Sequence, residues 1–196
     1  MDQDLVDEMD YLKDLLAKSG FFSHEEIIEI LEDQFIEEEI DFSGAEIPSY
    51  DYSNENFFKL ENAFLKLAGE NIVAVHNCGY DIEEGVADAF ELYVHLINNK
   101  FDAQGFCFYT FEDVEDAVED NVLSITFGDF ENDESKALEI GKIVRKYLED
   151  EGFTVVWDET VNNQIEINPI VWDKSYDDEK EYEMEGAYRA YCEALK

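Results

Sequence analysis

Residues 70–81 read Glu-Asn-Ile-Val-Ala-Val-His-Asn-Cys-Gly-Tyr-Asp, and residues 104–113 read Gln-Gly-Phe-Cys-Phe-Tyr-Thr-Phe-Glu-Asp. Each is a short continuous apolar run that stops at polar and turn-forming residues. Runs of this kind suit strands covered on both faces, not amphipathic helices. The change of pattern at Ile72 decides the fold class.

Before Ile72 the spacing is helical. Leu5, Met9, Leu12 and Leu16 predict a helix over residues 2–18, with Gly20 at its C-terminus. Ser23 and Glu26 form a capping-box pair that opens a second helix carrying Ile27, Leu31 and Phe35. Together these predict a helical hairpin over residues 1–40. A loop with Gly44 and Pro48 leads to a third helix at about 54–69, with Phe57, Leu60, Phe64 and Leu67 on one face.

After Ile72, strands and helices alternate. Strands are expected at 72–75, 106–109, 122–128 and 154–157, with helices at 81–98, 110–119 and 135–150. One more strand is expected over 164–167 and 170–172, broken by Pro169. The last two strands read as a hairpin. The expectation is α/β with an α+β tendency: one mixed sheet of about five strands, helices packed on it, and the helical hairpin in front. The chain reads as a single domain, with the α/β core at 54–172 and an acidic C-terminal helix at 176–196.

The order of segments resembles an uncharacterised bacterial family, a domain of unknown function. The matching pieces are Ser19-Gly20-Phe21 with Glu25-Glu26-Ile27, His76-Asn77-Cys78-Gly79-Tyr80, and the Gly105-Phe106-Cys107-Phe108-Tyr109 strand signature. Further on come Asp113 with Ala117-Val118, Phe127-Gly128, Ile140-Gly141, and Gly152-Phe153 leading to Val156-Trp157-Asp158. The resemblance spans roughly residues 11–172 and implies no reaction, ligand or partner.

Charge is the compositional outlier. The 196 residues hold 51 acidic and 13 basic side chains, a formal net charge of −38. Solubility alone needs a magnitude of only about 2–8 in a small domain. Such a field repels nucleic acid and anionic membrane and attracts basic proteins and cations. Crowded like charges are also expected to raise carboxylate pKa values. At 14% aromatic the chain is too rich in rings for a disordered acidic tract, so the charge decorates a folded body. Cys78, Cys107 and Cys192 are odd in number and widely spaced, which favours a reducing cytoplasm over a disulfide framework. The Met-Asp-Gln-Asp start carries no signal-peptide pattern.

Chemistry-bearing motifs are sparse. No phosphate-cradling glycine loop, nucleophile elbow or paired-cysteine zinc spacing occurs, so no cofactor and no metal is called for. Asp129, Glu131 and Asp133 have calcium-loop spacing, but Glu134 stands where glycine is needed and Ile140 where glutamate is needed. Ligands of open α/β sheets bind beyond the C-terminal ends of strands. That places His76, Asn77, Tyr80, Asp81, Tyr109, Thr110, Asp113 and Asp129 around one candidate cleft. His76, Tyr80, Tyr109 and Asp113 are its candidate catalytic groups. The competing reading makes Asn77 and Gly79 a turn, Asp81 and Thr110 helix caps, and the tyrosines packing groups.

Two function classes follow. The first is a non-enzymatic interaction protein of the immunity, antitoxin or nucleic-acid-mimic type. It would bind a basic protein partner through Glu25, Glu29, Glu32 and Glu37 on the second helix, with Phe42, Tyr50 and Tyr52 as apolar anchors. The second is a small enzyme or small-molecule-binding protein using the strand-end cleft.

Overall fold

A computed structural model describes residues 3–196. The chain forms two compact units. The first comprises residues 3–54 with Asp173–Glu179, and the second comprises Glu55–Trp172 with Lys180–Lys196.

The first unit is a helical pair, α1 (Gln3–Ser19) and α2 (His24–Gln34). Residue 2, where the first helix was expected to begin, lies outside the described residues. Ser23 and Glu26 make the expected capping box, each side chain accepting from the other's backbone N–H. Gly20 joins the helices at φ +71°, and a Cβ there would lie 2.2 Å from the Lys174 carbonyl oxygen. Glycine is therefore required by both conformation and space. The Lys174 ammonium donates to the Gly20 carbonyl at 2.5 Å and sits 4.7 Å from the Phe21 ring centroid. The Ser19-Gly20-Phe21 motif is thus the seat of a buried lysine from the far end of the chain. Residues 52–54 hold that returning segment: Asn54 N–H donates to Asp173 O, and Ser175 N–H to Asn54 Oδ1.

The second unit holds α3 (Glu55–Ala68), β1 (Ile72–Val75), α4 (Ile82–Asn98), β2 (Gly105–Phe108), α5 (Phe111–Glu119), β3 (Leu123–Asp129), α6 (Glu134–Asp150), β4 (Val155–Val156), β5 (Ile165–Ile167) and α7 (Met184–Ala194). The sheet order is β1-β2-β3-β5-β4. β1 and β2 are parallel, with Val75 opposite Phe108, and every other pair is antiparallel. The fold is a mixed five-stranded α/β sheet with helices on it.

Side-chain alternation divides the core. Val73, Val75, Phe106 and Phe108 pack with Ala89, Leu92 and Leu96 of α4 and with Tyr191 and Cys192 of α7. On the other face, Gly105 lets α6 approach so closely that a Cβ would meet Ile140 Cδ1 at 2.1 Å. Gly141 similarly leaves room for the Phe127 and Trp157 rings, which meet edge to face at 5.2 Å.

Three expectations are corrected. β5 ends at Ile167, and residues 170–172 leave the sheet after the cis Asn168–Pro169 bond. There Ile170 N–H donates to Asn121 O, and Trp172 packs on Phe57 and Tyr109. The C-terminal helix starts at Met184, not 176, because residues 177–183 run as an irregular strap. The third concerns the candidate cleft. β3 runs antiparallel to β2, since α5 turns the chain back at the end where β2 finishes. Asp129 therefore pairs with Gly105. It lies about 13 Å along the sheet from Tyr109, four residues at about 3.3 Å each.

Candidate functional site

The parallel β1–β2 pair brings His76 and Tyr109 side by side at one end of the sheet. His76 Nδ1 and Tyr109 Oη are 2.8 Å apart. Tyr109 is 0% exposed. Its phenol is held well above its usual pKa by burial, with the nearby Tyr182 and Glu61 adding to the effect. It therefore stays protonated and shares a hydrogen bond with the imidazole, whose tautomer sets which of the two donates. Four rings surround His76: Phe64 stacked at 4.5 Å, with Phe57, Tyr109 and Tyr182 at 5.5, 5.6 and 5.5 Å.

His76 opens on a cavity of about 160 Å³ between α3, β1 and α7, lined also by Phe64, Ala68, Ala74 and Tyr191. Glu61 closes one side. It accepts from Tyr182 Oη at 2.8 Å and from Lys180 Nζ at 2.9 Å on both carboxylate oxygens. The polar groups at this rim are thus mutually satisfied, and the strap 180–182 is latched across it.

The other candidate groups do not join His76. Tyr80 is 55% exposed and stacks on Phe111. Asp113 is buried in the capping box of α5, where Oδ2 accepts from the Thr110 N–H and hydroxyl. Its other oxygen faces Gln164. Burial raises the Asp113 pKa, against the lowering pull of the Thr110 and Gln164 hydrogen bonds. Asp81 is the N-cap of α4, accepting from Glu84 N–H at 3.0 Å. Asp129 accepts from the Glu131 and Asp133 amides, and Asp133 caps α6. Asp81 and Thr110 are helix N-caps, and Asp113 is the partner of Thr110 in its capping box.

The motif His76-Asn77-Cys78-Gly79-Tyr80 extends the parallel ladder past the strands. Cys78 N–H donates to Tyr109 O at 2.8 Å, and Phe111 N–H to Gly79 O at 3.1 Å. Asn77 and Gly79 both have positive φ, at 48° and 72°, which shapes the turn. Cys78 is buried and its thiol is pushed up to about 12, by burial first and then by Asp88. Cys107 is fully buried, and burial raises its thiol further. Neither forms a reactive thiolate at neutral pH. Cys192 is buried too.

Glu61 was not singled out by sequence reading, although a signal existed. It lies four residues after Phe57 and three before Phe64, inside the apolar stripe of α3, where a solvated carboxylate does not belong. Nothing in the sequence pointed to Tyr182.

On the first unit, Glu25, Glu29, Glu32 and Glu37 are all exposed. Phe42 is not the exposed anchor expected. It is 7% exposed and packs on Phe35. Tyr50 and Tyr52 stack on each other at 5.7 Å, and the Tyr50 hydroxyl donates to Asp14. The exposed apolar residue beside the carboxylates is Ile36, 68% exposed.

Residues 3–176 match the profile of DUF6891, a domain of unknown function. No curated protein and no solved structure matches the chain.

Proposed function

We propose that this chain, which belongs to the DUF6891 family, works as a non-enzymatic interaction protein that binds a basic protein surface through α2 and the turn after it. One observation carries the reading. No Lys or Arg occurs between residues 19 and 58, although that stretch holds twelve Asp and Glu. It is the longest base-free run in the chain, ahead of residues 101–135 with eleven Asp and Glu, and outside it Lys18, Lys59, Lys66, Arg145 and Lys180 each pair with a carboxylate. Glu25, Glu29, Glu32 and Glu37 have no ion-pair partner among the described residues; the first three project from α2, whose packing rests on Ile27 and Leu31, and Glu37 from the turn after it. Uncompensated carboxylates on one face steer an oppositely charged partner and speed its association. Rim charge alone contributes little affinity, so an apolar anchor is needed. Ile36 supplies it within the 3₁₀ turn Ile36–Glu38. By charge this arrangement is analogous to immunity proteins, antitoxins and nucleic-acid mimics.

The test compares capture from native lysate by the wild-type chain and by a Glu29→Lys, Glu32→Lys, Glu37→Lys variant. A basic protein held by the wild type at low salt, released at high salt and lost by the variant supports the reading. A partner held equally by both, or one whose binding ignores salt, overturns it.

A further inference from the structure

Alternation along β1 sends His76 to one face of the sheet and the next residue, Asn77, to the other. There a second cavity of about 150 Å³ lies between the 76–80 turn, α4 and the start of α7, with Tyr182 as the wall it shares with the His76 cavity. Asn77, Asp88 and Glu183 supply its polar lining, and Leu92 and Met184 an apolar side.

The Oδ1 atom of Asn77 is buried and has no hydrogen-bond partner among the described residues. Buried acceptors in folded proteins are nearly always paired, so an orphan on a residue that lines a cavity calls for a donor, which a turn of the Asn77 amide toward the cavity would let it reach. The neighbouring side chains do not provide one. Asp88 and Glu183 are carboxylates. The Tyr182 hydroxyl proton goes to Glu61, and the Cys78 thiol points to the Gly85 carbonyl at 3.4 Å. Asp88 has no basic partner among the described residues and lies near Glu84 and Glu91, so the negative charge at this wall is uncompensated there.

We propose that this cavity is a binding site for a short aliphatic ammonium. Its N–H donors fill the Asn77 Oδ1 position, its charge pairs with Asp88, and its methylenes lie against Leu92 and Met184. The class follows from the lining. The acceptors and carboxylates favour a donor that is also a cation, and the chain's −38 charge disfavours an anionic ligand. Size limits the ligand further, because a cavity of about 150 Å³ holds a molecule of about six heavy atoms, the size of benzene. The ammonium can belong to a free amine or to a lysyl side chain.

The test is a titration of the full chain with n-butylammonium and 1,4-diaminobutane at constant chloride, read at the Asn77 side-chain amide by NMR. 1-Butanol and butyrate serve as isosteric controls. The expected result is a saturable shift with both amines and none with the controls. Binding should be about tenfold weaker in Asp88→Asn, which removes a charge-assisted hydrogen bond. It should be tighter in Asn77→Asp, which adds a second carboxylate at a position whose left-handed backbone aspartate also tolerates, with the shift there read at the backbone amides of residues 76–79. If Asn77→Asp fails to fold, Asp88→Asn decides alone. A blocked lysine that binds like n-butylammonium assigns the source to a partner's side chain, and exclusion of the blocked lysine assigns it to a free amine. Equal response to 1-butanol, unchanged affinity in Asp88→Asn, or a non-saturating shift spread over surface carboxylates, meaning condensation on the acidic surface only, overturns the proposal.

Discussion

Replacing Gly105 by alanine adds one methyl group to β2 at a point where two elements already touch. The new Cβ would lie 2.1 Å from Ile140 Cδ1 and 2.6 Å from the Gly128 carbonyl oxygen. Carbon atoms rest at about 3.5–4.0 Å, so the Ile140 terminus must retreat by roughly 1.5 Å. Ile140 is buried on α6, where a retreat of that size forces a rotamer change or a helix shift. The second contact is worse, because Gly128 O belongs to the backbone of the adjacent strand and no rotation moves it. Overpacking of this kind costs about 1–3 kcal/mol, and the backbone contact places Gly105→Ala near the upper end. Propensity alone argues the opposite sign, since alanine in place of a strand glycine is worth roughly 0.5–1 kcal/mol of stabilisation. The two arguments therefore separate cleanly. Both tryptophans, Trp157 and Trp172, lie in the second unit, so urea unfolding followed by tryptophan fluorescence reports on the unit that carries the change. With a urea slope of about 2 kcal/mol/M, the midpoint should fall by roughly 1–1.5 M. Ile140→Val removes Cδ1 and by itself costs about 0.5–1.5 kcal/mol. In the double variant the clash with Ile140 Cδ1 is gone while the Gly128 contact remains, so the combined cost should undershoot the sum of the singles by about 1 kcal/mol. A neutral Gly105→Ala, or strict additivity in the cycle, would refute the close approach of α6 to β2.

Native Cys78 and Cys107 should react slowly with a thiol reagent near neutral pH and label fully only on unfolding, because burial holds both thiols protonated; rapid native labelling of either contradicts the packing. Ser23→Ala, which removes the side-chain half of the α2 capping box, should destabilise the first unit by about 1 kcal/mol by hydrogen exchange of α2 amides, and unchanged protection would show the cap to be inert. Asp113 titrates higher in the folded state than in the unfolded chain. Its contribution to stability is therefore fully present below the unfolded pKa of about 3.9 and is lost as pH rises through the folded value. Stability of Asp113→Asn relative to the wild type should consequently grow from about pH 4 to neutrality, and a difference that is flat or reversed across that range would mean the carboxylate is not desolvated.

The acidic crowding behaves less uniformly than composition suggests. Asp88 and Asp116 are raised, by burial first and by neighbouring carboxylates second. Asp14 ends up lowered, since burial is outweighed by Lys18 and the Tyr50 hydroxyl. Asp158 is lowered by hydrogen bonds from Thr160 and Asn163. Net charge measures the field at long range. For these four carboxylates the shift follows local burial and a few neighbouring groups, and those were not legible without coordinates.

Local chemistry was enough to locate most elements. The run Ile72–Val75, the capping pair Ser23–Glu26, the cap at Thr110 and the glycine at 20 mark boundaries through interactions between residues a few positions apart, which a linear sequence displays directly. Strand direction was different. Whether β3 runs with or against β2 depends on where α5 delivers the chain, and that choice moved Asp129 to the opposite end of the sheet from His76. The surroundings of His76 were equally hidden, because Phe57, Phe64, Tyr109 and Tyr182 come from four separate segments and meet only once α3, β2 and the C-terminal strap are packed. So were the orphaned Asn77 acceptor and the burial of Phe42. Spacing along a chain encodes which face a residue takes on its own element; what that face meets is decided by long-range packing, whose free energy is shared among residues far apart in sequence.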